Sequence, residues 1–161
     1  MGGPGLSPEN NMADAVTSQT LSDGPRVAVM KFTNISDGSG ESAVAKVDVS
    51  ALSAEPGTER ACSEVKIQQI FYALEGMSVD ILWNASSNVI CFTVSDSSSG
   101  HYDFSNMQSL TNNAGSGKNG DVLFTTVGHS SGDRYTIILV LEKKIRLTQG
   151  RIDGYLKHKY V

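Results

Sequence analysis

Two β-strands and a connecting turn are predicted by residues 121–142, DVLFTTVGHSSGDRYTIILVLE. In the first arm, Val122–Val127, alternate residues should point to opposite faces of a strand: Val122, Phe124 and Thr126 to one face, and Leu123, Thr125 and Val127 to the other. Gly128–Asp133 supplies turn residues. The second arm, Tyr135–Leu141, is apolar on both faces, which is typical of a strand in the middle of a sheet. We therefore predict a β-hairpin whose second strand is central.

Strand patterns of the same kind precede this stretch. Gly76 separates two of them, Val65–Leu74 and Val79–Trp83, and predicts a second hairpin. Val65–Leu74 also satisfies helical spacing, but a period of two fits it better. Many short strands at regular spacing favour an all-β fold, an antiparallel β-sandwich or a jelly-roll-like barrel. The predicted strands before residue 100 are Val27–Phe32, Ala43–Ser50, Val65–Leu74, Val79–Trp83 and Val89–Val94.

Alternation along these strands also predicts which side chains form the core. Large apolar residues that recur at every second position should point to the same side of a sheet. Trp83 should anchor the contact between the strands Val79–Trp83 and Val89–Val94, which we expect to pair. The predicted core residues are Val27, Phe71, Ile81, Trp83, Phe92, Phe124, Ile137 and Leu139.

The two ends of the chain differ from the middle. Residues 1–23 are rich in Gly, Ser, Thr and Asp, and residues 144–161 alternate only weakly, so neither end can close a core of its own. We predict an extended N-terminal arm (1–23), a β-sandwich domain (24–143) and a C-terminal arm (144–161). Apolar side chains spaced along the arms are predicted to bind a partner: Val16, Leu21, Ile152, Tyr155, Leu156 and Tyr160.

A long polar, Gly-rich segment interrupts the strands between Ser95 and Gly120. Irregular segments of this length are uncommon inside a compact domain and often contact a partner. Its few apolar residues predict a short strand around His101–Phe104 and a turn near Leu110 that hold the segment against the domain.

Charge and hydropathy exclude several classes of partner. The formal net charge is −4, which disfavours nucleic-acid binding by the chain as a whole, although the C-terminal segment is locally basic. No apolar run approaches the roughly 20 residues that a membrane-spanning helix needs, and the N-terminus lacks the pattern of a signal peptide. We therefore expect neither a membrane nor a nucleic acid as partner.

The cysteine, histidine, serine and carboxylate residues do not form a recognisable catalytic or metal-binding motif in the sequence. Cys62 and Cys91 lie outside any CxxC pair, and we expect both to be buried thiols. His129 lies beside serines and Asp133, but a short turn does not assemble a catalytic triad. Asp37–Glu41 contains oxygen ligands, yet it lacks the carboxylate spacing of a calcium loop and is better interpreted as a surface turn. No catalytic, metal or cofactor site is predicted.

Four segments carry a resemblance to a known group of proteins. They are Val29–Ser42 (VMKFTNISDGSGES), Lys46–Leu52 (KVDVSAL), Gly120–His129 (GDVLFTTVGH) and Tyr135–Leu139 (YTIIL). The chain resembles small virion structural proteins of tailed bacteriophages over about residues 12–143. The resemblance implies a non-enzymatic component of an assembled particle, and it assigns no role to any individual residue.

Within that group the sequence favours a capsid decoration, or cement, protein that binds the major capsid protein on the outer surface of the virion. Shell proteins of this kind imply a homo-oligomer, and a trimer fits a threefold site. A neck or tail component is the alternative. A carbohydrate-binding β-sandwich is a third hypothesis, which needs an exposed aromatic platform, and an enzyme is the fourth. The aromatic candidates for such a platform are Tyr72, Trp83, Tyr102 and Tyr135.

Overall fold

A computed structural model describes residues 13–95 and 98–145, and over these residues the chain is a sandwich of two antiparallel β-sheets. The predicted all-β sandwich is confirmed. The strands are β1 (Ala15–Asp23), β2 (Val27–Ile35), β3 (Val44–Val47), β4 (Cys62–Glu75), β5 (Ser78–Trp83), β6 (Val89–Val94), β7 (Ser99–Asp103), β8 (Val122–Val127) and β9 (Arg134–Ile145). One sheet has the order β1-β2-β9-β4-β7 and the other the order β3-β8-β5-β6.

The predicted hairpin over residues 121–142 is wrong, although both of its strands exist. β8 pairs with β3 and β5, whereas β9 pairs with β2 and β4 in the opposite sheet. Gly128–Asp133 therefore crosses between sheets. The second predicted hairpin, at Gly76, is also wrong, because β4 and β5 lie in different sheets. The central position predicted for β9 is confirmed, because β9 pairs with β2 along one edge and with β4 along the other.

The predicted core is correct except at Phe71, where the alternation changes phase, and at Val27, which lies on the outward face of β2 opposite Glu142. Phe71 is 38% exposed and Val27 is 36% exposed, so their predicted burial is wrong. In β4 a bulge between Ile67 and Gln69 shifts the phase by one residue and turns Phe71 outward. Phe92 is partly buried against the core, and the remaining predicted core residues are fully buried: Ile81, Trp83, Phe124, Ile137 and Leu139.

Both predicted arms overlap strands of the five-stranded sheet. Residues 15–23 of the predicted N-terminal arm form β1, which pairs with β2 along its length, and β9 continues to Ile145 inside the predicted C-terminal arm. The predicted boundaries at 23/24 and 143/144 therefore fall where the sheet is continuous. Residues 1–12 and 146–161 lie outside the described residues, and they include the predicted contacts Ile152, Tyr155, Leu156 and Tyr160.

The polar segment after Ser95 is held to the sandwich as its apolar residues predict. β7 pairs with β4 over Gln69–Ala73, and Leu110 forms an isolated bridge with Ile67. Ser105–Met107 is a single 3₁₀ turn. In the described residues no helix has the length and apolar character needed to cross a membrane.

Candidate interaction surface

β1 is the most exposed long strand of the fold. Eight of its nine residues are exposed, and Val16 and Leu21, both predicted as partner contacts, are each 47% exposed. The strand pairs with β2 on one side, and no described strand pairs with its other side. β1 therefore presents a free row of backbone N–H and C=O groups together with two apolar side chains.

Asp14 anchors the first end of β1 to the loop after β2. Its Oδ1 accepts hydrogen bonds from the backbone N–H groups of Asp37 (3.1 Å) and Gly40 (3.2 Å), and its Oδ2 accepts one from Asn34 Nδ2 (3.0 Å). Burial alone would raise the pKa of Asp14, but these donors hold the pKa below its ordinary value. The carboxylate is therefore bound as an anion that closes the loop onto the strand.

Asp23 anchors the other end of β1 to β9. Its carboxylate forms an ion pair with Lys143, whose side chain is fully buried, and accepts a hydrogen bond from the backbone N–H of Ser53 (2.8 Å). Burial would raise the pKa of Asp23, but Lys143 and Ser53 hold the pKa below its ordinary value. Both ends of an exposed strand are thus fixed by charged contacts to the domain.

The aspartates at the two ends of β1 were not predicted from the sequence. The available signal is their position: Asp14 and Asp23 flank the run Ala15–Ser22, which contains no charged residue. From the sequence alone, two aspartates on either side of an uncharged run cannot be identified as anchors, because the residues that bind them are not known. Those partners, Asn34 and Lys143, are distant in the chain and meet the aspartates only in the folded sheet.

The outer face of the five-stranded sheet, which points away from the four-stranded sheet, has an apolar centre. Val140 of β9 lies between Val29 of β2 and Gln69 of β4, and in the neighbouring row Ile138 lies between Lys31 and Phe71. The apolar members are half-buried or exposed, and polar side chains surround them. An apolar centre with a polar rim is a common arrangement for a protein-binding face. Rim residues include Gln19, Lys31, Thr33, Gln69, Glu75, His101, Arg134 and Glu142.

Aromatic side chains cluster where β4 meets the edge strand β7. The rings of Phe71 and His101 stack with centroids 4.1 Å apart, and His101 Nε2 lies 2.8 Å from Gln69 Oε1. Tyr102, on the opposite side of β7, is 40% exposed and stacks on Tyr72 at 5.3 Å. A shallow groove of about 210 Å³ runs beside this cluster, lined by Phe71, Tyr72, Ala73, Gly100, Thr136 and Ile138.

The aromatic candidates for a sugar platform divide between surface and core. Trp83 is 1% exposed and Tyr135 2% exposed, so neither can stack on a ligand. Tyr102 is on the surface and Tyr72 is partly buried beside it. Phe71, which the sequence placed in the core, is the additional exposed ring.

Two segments that carry the sequence resemblance meet at one end of the sandwich. The loop at residues 36–42 and the crossing loop Gly128–Asp133 exchange backbone hydrogen bonds, from Ser36 N–H to the Asp133 carbonyl (2.7 Å) and from Gly132 N–H to the Ser36 carbonyl (2.8 Å). His129 packs against Gly40, where a Cβ atom would lie 2.3 Å from its ring. His129 therefore fills a space in this loop contact, and its neighbouring serines belong to the turn, as predicted.

Glu41 is committed to a buried polar network beneath these loops. Its Oε2 lies 2.5 Å from Lys46 Nζ, and its Oε1 accepts a hydrogen bond of 2.6 Å from the Tyr135 hydroxyl. Burial, together with this contact to Glu41, raises the pKa of Tyr135. Within the described residues no group of three or more His, Cys, Asp or Glu side chains is placed to hold a metal ion.

Comparison with known proteins does not define a family for the chain. No family model and no curated protein matches it. Among solved structures, a mutant of a family 29 carbohydrate-binding module is similar, with a TM-score of 0.37 and 15% identity over 80% of this chain and 92% of that chain. A similarity at this level assigns neither a family nor a ligand.

Proposed function

We propose that this protein is a non-enzymatic virion structural protein, a decoration protein that binds the major capsid protein on the outer surface of a tailed-phage particle. The observation that supports it is β1, a nine-residue strand that is exposed on both faces yet fixed at both ends by Asp14 and Asp23. Ordering a residue costs roughly 1–2 kcal/mol of backbone entropy, and β1 recovers little of this through burial. A strand held in this way is suited to assembly contacts.

The outer face of the five-stranded sheet supports the same function. Its centre, Val29, Ile138, Val140 and Phe71, offers apolar area to a broad protein surface, while the charged rim favours one orientation. The groove beside Phe71 is too small and shallow to bury a small molecule. A shallow groove of this kind is better suited to contact with a macromolecular surface. Several copies act together on the shell, and a trimer on a threefold site is the expected arrangement.

Binding to particles tests the proposal. Purified protein is mixed with phage capsids that lack their decoration protein, and bound copies are counted by gel densitometry and located by cryo-electron microscopy. We expect a fixed copy number on the outer face of the major capsid protein. Density only at the head-to-tail junction would favour the neck alternative, and absence of binding to any part of the particle would refute the proposal.

Substitutions then identify the face that contacts the shell. Phe71→Asp with Ile138→Asp should abolish binding, because two charges would be placed in the apolar centre of the outer face. Ile90→Asp on β6, where the side chain is 56% exposed in the other sheet, is the matched control and should bind normally. Deletion of residues 151–161 should leave the domain folded and weaken attachment, because the predicted C-terminal contacts are lost.

Carbohydrate binding is a second candidate, and the exposed rings of Phe71 and Tyr102 favour it as two separate stacking positions on opposite faces of the sheet. Aromatic faces flanked by hydrogen-bonding groups such as Gln69 are suited to stacking on sugar rings. Titration of soluble glycans against the single-site variants Phe71→Ala and Tyr102→Ala tests this function. Binding of a defined glycan that either variant removes, without binding to capsids, would favour this candidate over the first.

A further inference from the structure

We infer that β1 pairs edge to edge with β1 of a second copy, so that two five-stranded sheets become one continuous ten-stranded sheet. The inference rests on the proposed function, which makes self-association part of assembly, and it names the strand that joins two copies. It concerns the free edge of β1 and leaves the outer face available for the capsid shell.

Among the edge strands of the described residues, β1 is the longest. β1 has nine residues, whereas the other edge strands have five in β7, four in β3 and six in β6. The unpaired N–H and C=O groups along such an edge can form a complete ladder with another strand. Pairing would also bring further apolar area against Val16 and Leu21, which are each 47% exposed.

The charge pattern of β1 favours a second copy as the partner strand. Edge strands are commonly protected by Lys, Pro or inward-pointing charges. Residues 15–22 contain no Pro and no charged residue, and the flanking Asp14 and Asp23 are engaged by the domain itself. Two such edges can approach each other without like-charge repulsion, and their Thr, Ser and Gln side chains form favourable cross-strand pairs.

Symmetry sets the size of this assembly. Antiparallel pairing of two identical strands is isologous, because each copy uses the same surface, and it therefore closes at two copies. A bulge between Thr20 and Ser22 ends the regular part of the strand, so the pairing centres on Ala15–Thr20. The trimer expected on the shell would use a different surface, and β1 pairs would connect neighbouring trimers.

Charge substitutions in β1 test the pairing directly. Ser18 and Thr20 are exposed, so the double variants Ser18→Lys/Thr20→Lys and Ser18→Glu/Thr20→Glu should both fold. We expect dimers of the wild-type chain, monomers of each variant alone, and mixed dimers when the two variants are combined, as measured by native mass spectrometry. The mixed dimer is diagnostic, because opposite charges restore attraction only if β1 faces β1.

A matched control separates this contact from a general effect of charge. Ser130→Lys/Ser131→Lys adds the same charge in the exposed crossing loop and should leave the dimer intact. The inference is overturned if the wild-type chain is monomeric at about 1 mM, or if the Lys and Glu variants fail to form mixed dimers. Particle binding is measured on the wild-type chain as well: a wild-type chain that is monomeric in solution yet decorates capsids would refute β1 pairing while the proposed function stands.

Discussion

Replacing Glu41 by Gln removes the counter-ion of a buried ammonium group. The side chains of Lys46 and Glu41 are 3% and 5% exposed, and their charged atoms lie 2.5 Å apart. Two unit charges about 4 Å apart interact by about 4 kcal/mol at an effective dielectric constant near 20. Removing one partner of a buried pair typically costs about 3–5 kcal/mol, and we expect Glu41→Gln to lower the free energy of unfolding by that amount.

A double variant separates the buried charge from the hydrogen bond to Tyr135. Glu41→Gln/Lys46→Met removes both charges but keeps an amide oxygen that can accept a hydrogen bond from the Tyr135 hydroxyl. It should recover much of the loss, because no unpaired charge is left in the core. The exposed pair Glu75–Arg134 provides the control, since Glu75→Gln should cost about 0–1 kcal/mol.

Urea unfolding measures these differences through the fluorescence of Trp83, the only tryptophan of the chain and a core residue. An unchanged slope with a lower midpoint would attribute the effect to stability alone. A cost of less than about 1 kcal/mol for Glu41→Gln, or a double variant no more stable than the single one, would contradict a large contribution from this buried ion pair.

Further substitutions test the core, the anchor of β1 and a thiol. Cys62 is buried as predicted, whereas Cys91 is only partly buried. Phe124→Ala should lower the free energy of unfolding by about 3–5 kcal/mol and Phe71→Ala by less than about 1 kcal/mol, because only Phe124 is fully buried; urea titration of both variants compares them. The pKa of Asp23 is lower in the folded protein than its unfolded value of 3.8, so the ionised carboxylate stabilises the fold at pH values above 3.8. This stabilisation is lost as the pH falls through the folded pKa. The stability difference between wild type and Asp23→Asn, from urea titrations across acidic pH, should therefore be complete above about pH 5 and shrink below it. Burial raises the pKa of Cys91 to about 12, so its labelling by iodoacetamide near pH 8, followed by mass spectrometry, should be much slower in the native protein than in urea.

Alternation of side chains was sufficient to predict where the strands other than β1 lie and which one is central. The run Tyr135–Leu141 is apolar on both faces, and this alone required a strand with neighbours on each side, which β9 has in β2 and β4. The same local pattern predicted the full burial of Trp83 and Phe124. Local periodicity is a property of single strands and is therefore visible in the sequence.

Strand partners and the candidate site depended on contacts between distant residues. The turn Gly128–Asp133 has the residues of a hairpin turn, yet it connects two sheets, because β8 pairs with β3 and β5 whereas β9 pairs with β2 and β4. The bulge after Ile67 reversed the predicted direction of Phe71 and so placed an aromatic ring on the outer face.

The sequence by itself determined an all-β chain, the positions of its strands other than β1, most of its core and the apolar residues Val16 and Leu21 of the N-terminal segment. Only the tertiary structure decided that this segment is an edge strand, because its anchors Asn34 and Lys143 lie far along the chain from Asp14 and Asp23. The free energy of strand pairing depends on contacts between residues that are distant in the chain, so the local sequence pattern of one strand does not predict which strand will be its partner.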